Sequence, residues 1–148
     1  MIIGSVFIYL ITLLYASIID AREKLIYNRV YIVLIALSGV TYGINGLLAK
    51  LPGAALIALP FLILALKVDK LGGGDIKFIF CNNLYLGFWT GYAGVVTGLC
   101  LIVLVYILKW GRMKQTTREI PMVPYLSCGY LICFIIEKLF HLGGASSL

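Results

Sequence analysis

Five stretches of this chain carry no Asp, Glu, Lys or Arg, and they constrain its fold more than any other feature. They cover residues 1–19, 30–49, 51–66, 78–108 and 120–136. A run of about 20 apolar residues can cross a bilayer as a helix, and tilting or thinning accommodates runs of about 17. Only 12% of the residues are charged, about half the share of a typical soluble domain. The sequence therefore predicts an all-α, polytopic membrane protein.

The basic residues cluster between these runs and predict the topology. Ten of the twelve Lys and Arg lie in three short segments: Arg22, Lys24 and Arg29; Lys67, Lys70 and Lys77; Lys109, Arg112, Lys114 and Arg118. Basic loops stay on the cytoplasmic side, so an even number of spans must separate them. We therefore predict a single domain, residues 1–148, of six transmembrane helices with both termini outside. The predicted spans are roughly 2–19, 30–48, 51–66, 75–89, 92–108 and 120–137.

This distribution also bears on partners and cofactors. The net charge of +6 is explained by topology, so the lipid bilayer is a predicted partner and nucleic acid is not. The cysteines all lie within apolar runs and form no C-x-x-C pair: Cys81, Cys100, Cys128 and Cys133. No cluster of His, Cys and Asp has the spacing of metal ligands. We expect no metal and no cofactor.

Two aspartates are the main candidates for chemistry. Asp20 closes the first predicted span, Asp75 opens the fourth, and both are expected at a similar shallow depth on the cytoplasmic side. An aspartate is costly at the centre of a membrane but can meet water near a helix end. Two neighbouring carboxylates do not both ionise readily, so one stays protonated beside its charged partner. Such a pair can activate water against a peptide carbonyl.

Three glycines directly precede the second aspartate, in the segment "GGGDIK" at 72–77. Gly72, Gly73 and Gly74 lack the side chains that would keep a substrate strand away from Asp75. Simpler interpretations remain open. The glycines are also compatible with a plain interhelical turn, and Asp20 with an interfacial charge that pairs with Lys24.

These residues resemble those of the type IV prepilin peptidases, the intramembrane aspartic proteases that trim pilin precursors. The segment "GGGDIK" is similar to the G-x-G-D-x-K element of that family, and Asp69 matches an acidic residue six positions before the catalytic Asp. Asp20 and Asn28 keep the spacing of the family's first motif, although Tyr27 replaces its usual Pro. Near the last span, "IPMVPYL" keeps Pro121 and Pro124 of a P-F-G-P-like element but has Met and Val between them.

The resemblance implies an aspartic endopeptidase in a prokaryotic plasma membrane that cleaves type IV prepilin or pseudopilin precursors on the cytoplasmic side. It implies Asp20 and Asp75 as the catalytic pair. The glycines, Lys77, Asn28 and the two prolines are assigned to the substrate loop or to positioning. Larger members carry an extra N-terminal region linked to pilin methylation. Because the first predicted span starts at residue 2, we expect cleavage without methylation.

Two rival functions use the same residues. A small transporter could relay protons or bind a cation through Asp20 and Asp75. Against this, no uncharged run is interrupted by an acidic residue, and the sequence lacks the inverted repeat of many transporters. A catalytically inactive assembly subunit is the other rival, but it would not need both aspartates.

Overall fold

A computed structural model of the protein describes residues 3–67, 72–110 and 121–144. These residues form five helices: α1 (Ile3–Glu23), α2 (Asn28–Lys67), α3 (Gly73–Leu86), α4 (Phe88–Trp110) and α5 (Val123–Gly144). Three of them contain segments long and apolar enough to cross a membrane: Gly4–Glu23, Asn28–Lys67 and Phe88–Leu108. The predicted all-helical class is confirmed.

Helix α2 is interrupted at Gly43 and doubles back on itself. Its 40 residues would extend about 60 Å if straight, twice the thickness of a hydrocarbon core. At Gly43 the backbone has φ 70° and ψ 174°, and positive φ values favour glycine. Ile35 and Ala58 line the same cavity, so the segments before and after the break lie side by side.

The break in α2 differs from the predicted one, which lay between residues 48 and 51. The predicted spans left Lys50 between two helices. In the structure Lys50 remains within the helix, where its ammonium donates to the Tyr85 carbonyl at 3.2 Å. The same nitrogen lies 3.2 Å from the centre of the Tyr42 ring. With partners of this kind, a lysine does not require a loop.

Two further helix ends also differ from the predicted boundaries. We expected a turn within residues 88–94, but α3 ends at Leu86 and α4 begins at Phe88. Gly87 joins them with φ 88°, and its N–H donates to the Asn83 carbonyl. The last helix starts at Val123 rather than at residue 120 and continues through Gly144. Glycine at positive φ, rather than the aromatic cluster that follows it, sets the α3–α4 junction.

Glycines allow α4 and α5 to pack very closely. A Cβ atom at Gly129 would collide with backbone atoms of Gly94 and Gly98. A Cβ at Gly98 would lie 2.8 Å from the Leu126 Cα. Small residues at such crossings bring membrane helices together, because close packing replaces the hydrophobic drive that lipid removes.

The two ends of α3 carry different polar groups. Asp75 lies in its first turn, while its last turn faces Lys50 through the Tyr85 carbonyl. Near that second end the Thr90 hydroxyl donates to a Glu137 carboxylate oxygen at 2.9 Å. The bundle therefore separates the Lys50 and Glu137 charges from the Asp75 end.

Large apolar side chains cover much of the outer surface. Leu66 is 79% exposed, Ile44 76% and Val40 73%. Such extensive apolar exposure is incompatible with a water-facing surface and matches lipid contact. Together with the three apolar helices, it supports a membrane protein.

Candidate active site

Asp20 lies in the last turn of α1, with its carboxylate turned into the bundle. The residue is only 5% exposed. Its Oδ2 atom accepts a hydrogen bond from the backbone N–H of Val123 at 3.1 Å. Val123 is the first residue of α5, whose N-terminal N–H groups favour a negative charge. Asp20 therefore joins the end of α1 to the start of α5.

Asp75 lies in the first turn of α3 and is partly buried. Its backbone N–H donates to the Gly72 carbonyl at 3.1 Å, closing the turn that starts the helix. Asp20 and Asp75 lie within range of mutual Coulombic interaction. The two carboxylates, 55 positions apart in the sequence, therefore lie in the same region of the bundle, close enough for their charges to interact.

The three predicted glycines differ in their surroundings. A Cβ at Gly74 would lie 3.2 Å from the Tyr31 hydroxyl and 3.7 Å from Cδ1 of Ile26, so this position allows close approach of α3 to α2. A Cβ at Gly72 would make ordinary contact with Oδ2 of Asp75 at 3.5 Å, and one at Gly73 would meet open space. Gly74 is the position where an added side chain would meet the tightest contacts.

Tyr31 was not among the predicted site residues. Its hydroxyl donates to the Gly74 carbonyl at 3.0 Å and lies within Coulombic range of both Asp75 and Asp20. This bond ties α2 to the turn that carries Asp75. Tyr31 is one of ten tyrosines, and most of them suit packing or a membrane interface. Nothing in the sequence around Tyr31 distinguishes it from the others as a site residue. Val123 was missed as well, because it acts through its backbone.

The structure describes four of the other residues singled out in the sequence: Asn28, Lys77, Pro121 and Pro124. Pro121 and Pro124 flank the Val123 N–H that binds Asp20 and are both partly buried. Asn28 is the first residue of α2, and its side chain is exposed, as is that of Lys77. Asp69 lies outside the described residues. The prolines therefore belong to the segment that contacts Asp20, while Asn28 and Lys77 face outward.

An apolar cavity of about 470 Å³ lies between α3 and the two arms of α2, the segments before and after Gly43. Its lining includes Ile76 and Lys77, the two residues that follow Asp75, as well as Tyr31. The remaining lining residues are apolar side chains and one cysteine: Ile35, Ala55, Ala58, Leu59, Leu62, Phe80 and Cys81. This volume is within the range of ligand-binding pockets. The cavity can accept an apolar group against Ile76 and Lys77, the residues that follow Asp75 in α3.

A comparison with known protein families identifies the chain. The model of the type IV leader peptidase family matches residues 7–111, more than half of the sequence. The chain belongs to the type IV leader peptidase family. The match includes both aspartates, the three glycines and every residue that lines the cavity. Neither the curated proteins nor the solved structures gave a significant match.

Membership of this leader peptidase family favours a protease over the transporter considered above. The matched region stops before Pro121, so the contact between Asp20 and the start of α5 rests on the structure alone. Within the described part of the chain, no three His, Cys, Asp or Glu residues are grouped as metal ligands would be. Among the described residues, the polar groups of this candidate site include two carboxylates, the Tyr31 hydroxyl and backbone groups.

Proposed function

We propose that this leader peptidase is an intramembrane aspartic endopeptidase in which Asp20 and Asp75 together activate water. The observation that supports this proposal is that both carboxylates lie in one region of the bundle, where the charge of Asp20 acts on Asp75, and that Asp20 accepts the Val123 N–H at the start of α5. Such pairs share a proton because both members do not ionise readily. Membership of the leader peptidase family supports hydrolysis of a peptide bond as the reaction. The two aspartates are the residues near the cavity that suit this reaction.

In the proposed mechanism the ionised aspartate accepts a proton from water while the oxygen of that water attacks the scissile carbonyl carbon. The protonated aspartate donates its proton to the carbonyl oxygen, giving a neutral tetrahedral intermediate. Cleavage of the C–N bond then requires proton transfer to the leaving nitrogen, and a hydroxyl proton returns to the pair. Because the titrations of the two carboxylates are coupled, these roles belong to the pair.

The proposed substrate is a type IV prepilin or pseudopilin precursor, the class that the family name implies. The backbone at Gly72 and Gly73 is exposed and offers a side-chain-free approach to Asp75. The Pro121 and Pro124 segment would border the approach from the Asp20 side. A substrate strand between them would place a peptide carbonyl against both carboxylates.

We also propose six membrane spans, with the two arms of α2 each contributing one. The Asp20 and Asp75 end would face the cytoplasm of a prokaryotic cell, and the Lys50 and Glu137 end would face outside. The concentration of Lys and Arg near the aspartates supports this orientation. Both termini would then lie outside the plasma membrane.

Cysteine labelling will test this topology. In a variant without native cysteines, new cysteines at positions 24, 70 and 114 should react only with a reagent that reaches the cytoplasm. A cysteine in place of Trp89, which is 80% exposed, should react from outside. Labelling of position 114 from outside would reduce residues 78–108 to one span and contradict the six-span arrangement.

A cleavage assay will test the proposed reaction. Co-expression with a panel of prepilins should convert at least one of them to a smaller product, and the purified peptidase should do so in detergent. Sequencing of the new N-terminus should place the cut immediately before the pilin's apolar segment. If no prepilin is cleaved while an established prepilin peptidase processes the same panel, the proposed substrate class is wrong.

A further inference from the structure

The backbones of the two helices that carry the aspartates do not approach each other closely. Among the described residues, no Cα atom of α1 lies within 8 Å of a Cα atom of α3. Direct contact between α1 and α3 is therefore made by side chains, while α2 and α5 each contact both helices. The structure shows one such side-chain bridge within the bundle, formed by Tyr9 of α1 and Asn82 of α3.

This bridge is buried and has a defined geometry. Tyr9 and Asn82 are both 0% exposed, and the Tyr9 hydroxyl donates to Oδ1 of Asn82 at 2.9 Å. The amide nitrogen of Asn82 donates to the Phe78 carbonyl at 2.8 Å, which directs Oδ1 toward Tyr9. The Tyr9 ring also stacks on Tyr85, with ring centres 4.4 Å apart. Both the hydroxyl and the ring of Tyr9 thus contact α3.

Helical geometry places this bridge on the same faces as the aspartates. Tyr9 precedes Asp20 by 11 residues and Asn82 follows Asp75 by seven, separations of about three and two turns at 3.6 residues per turn. Each bridging residue therefore projects from its helix in nearly the same direction as the aspartate of that helix. A rotation of α3 that broke the Tyr9–Asn82 bond would also turn Asp75 relative to Asp20.

We propose that Tyr9 and Asn82 are a positioning pair that sets the separation of α1 and α3 and so brings the two aspartates to their working distance. This inference rests on the proposed aspartic peptidase function. The pair does not contact the substrate. Its role is to hold two helices whose backbones do not meet, at a depth where water cannot replace the hydrogen bond.

The first test measures catalysis. Tyr9→Phe removes the hydroxyl and keeps the ring, and Asn82→Leu removes the acceptor. Each should lower kcat for a cleaved prepilin by about 10- to 100-fold, the loss expected from a small misplacement of catalytic groups. KM should change less than about twofold, because the pair is remote from the substrate. The double variant should be no worse than the poorer single variant, since both remove one interaction.

Tyr130→Phe is the matched control. Tyr130 is also 0% exposed, and its hydroxyl accepts a hydrogen bond from the neighbouring Asn83 at 3.4 Å. It connects α5, rather than α1, to α3. Tyr130→Phe should therefore leave kcat within about threefold of the wild-type value. An equal loss in this control would show that any buried tyrosine hydroxyl has the same effect and would overturn the proposal.

The second test measures the helix separation without using catalysis. Spin labels at positions 23 and 77, both exposed, would report the distance between α1 and α3 in a variant without native cysteines. Tyr9→Phe should shift or broaden this distribution, and Tyr130→Phe should not. An unchanged distribution, or single-variant losses in kcat that multiply in the double variant, would overturn the positioning role. A distribution that changes as expected in a protein that cleaves no prepilin would refute only the proposed function.

Discussion

Asp20→Asn and Asp75→Asn should each reduce prepilin cleavage by about a thousandfold or more, because removal of either carboxyl group leaves water without its acid–base pair. The substitution is nearly isosteric. The Asn side-chain oxygen at position 20 can still accept the Val123 N–H, so the contact between α1 and α5 is retained. The loss should therefore appear in the rate of cleavage and not in folding. Single-turnover cleavage of a purified prepilin will measure it.

Glu23→Gln is the matched control for these variants. Glu23 lies on the same helix as Asp20, three residues further on, and its side chain is exposed. The Glu23→Gln variant should retain near wild-type cleavage. The Asp69→Asn variant should also leave measurable activity. All four variants should elute from a sizing column in detergent like the wild-type protein. Near wild-type processing by either Asp20→Asn or Asp75→Asn would exclude the two-aspartate mechanism.

The two aspartates could be selected as candidates from the sequence because charged residues are costly, and therefore rare, in membrane-spanning segments. In a chain with so few charged residues, Asp20 and Asp75 stand out at the ends of apolar runs. The basic segments then place both at one side. Neither inference depends on details of packing, so the sequence alone was sufficient to nominate this pair as candidates.

The groups that hold the aspartates could not be predicted in the same way. The Val123 N–H that binds Asp20 is a backbone donor, present in every residue except proline, so no residue type marks it. The hydroxyl of Tyr31 and the Tyr9–Asn82 bond depend on which helix faces lie together. Such faces follow from tertiary packing, which periodicity cannot specify when helices are apolar on all sides.

The helix breaks show a related ambiguity. Residues 39–46 contain three glycines, Gly39, Gly43 and Gly46, and any of them could interrupt α2. Only Gly43 adopts positive φ. The choice is set by where the two arms can pack around the cavity next to α3. Glycine permits a break at several positions here, and packing determines which of them is used.

The second large expected effect concerns stability and the contact between α4 and α5. Gly129→Leu should prevent accumulation of folded protein, because even the first side-chain carbon would collide with the backbones of Gly94 and Gly98. Backbone atoms of a packed helix cannot move aside as a flexible side chain can, so the two helices must separate. The amount of monodisperse protein recovered in detergent will measure the effect.

Alanine variants test the same contact with a smaller change, and they predict the direction in which the free energy of unfolding shifts. Gly129→Ala should lower the free energy of unfolding by about 1–3 kcal/mol, the usual cost of overpacking. Gly39 offers the matched control, since it is also helical and nothing lies within 4 Å of the Cβ that alanine would add. Gly39→Ala should leave stability unchanged or raise it by up to about 1 kcal/mol, because alanine favours helix over glycine. The thermal unfolding midpoint should therefore fall for Gly129→Ala and stay the same or rise for Gly39→Ala. A Gly129→Ala protein as stable as Gly39→Ala would show that the α4–α5 contact does not need glycine.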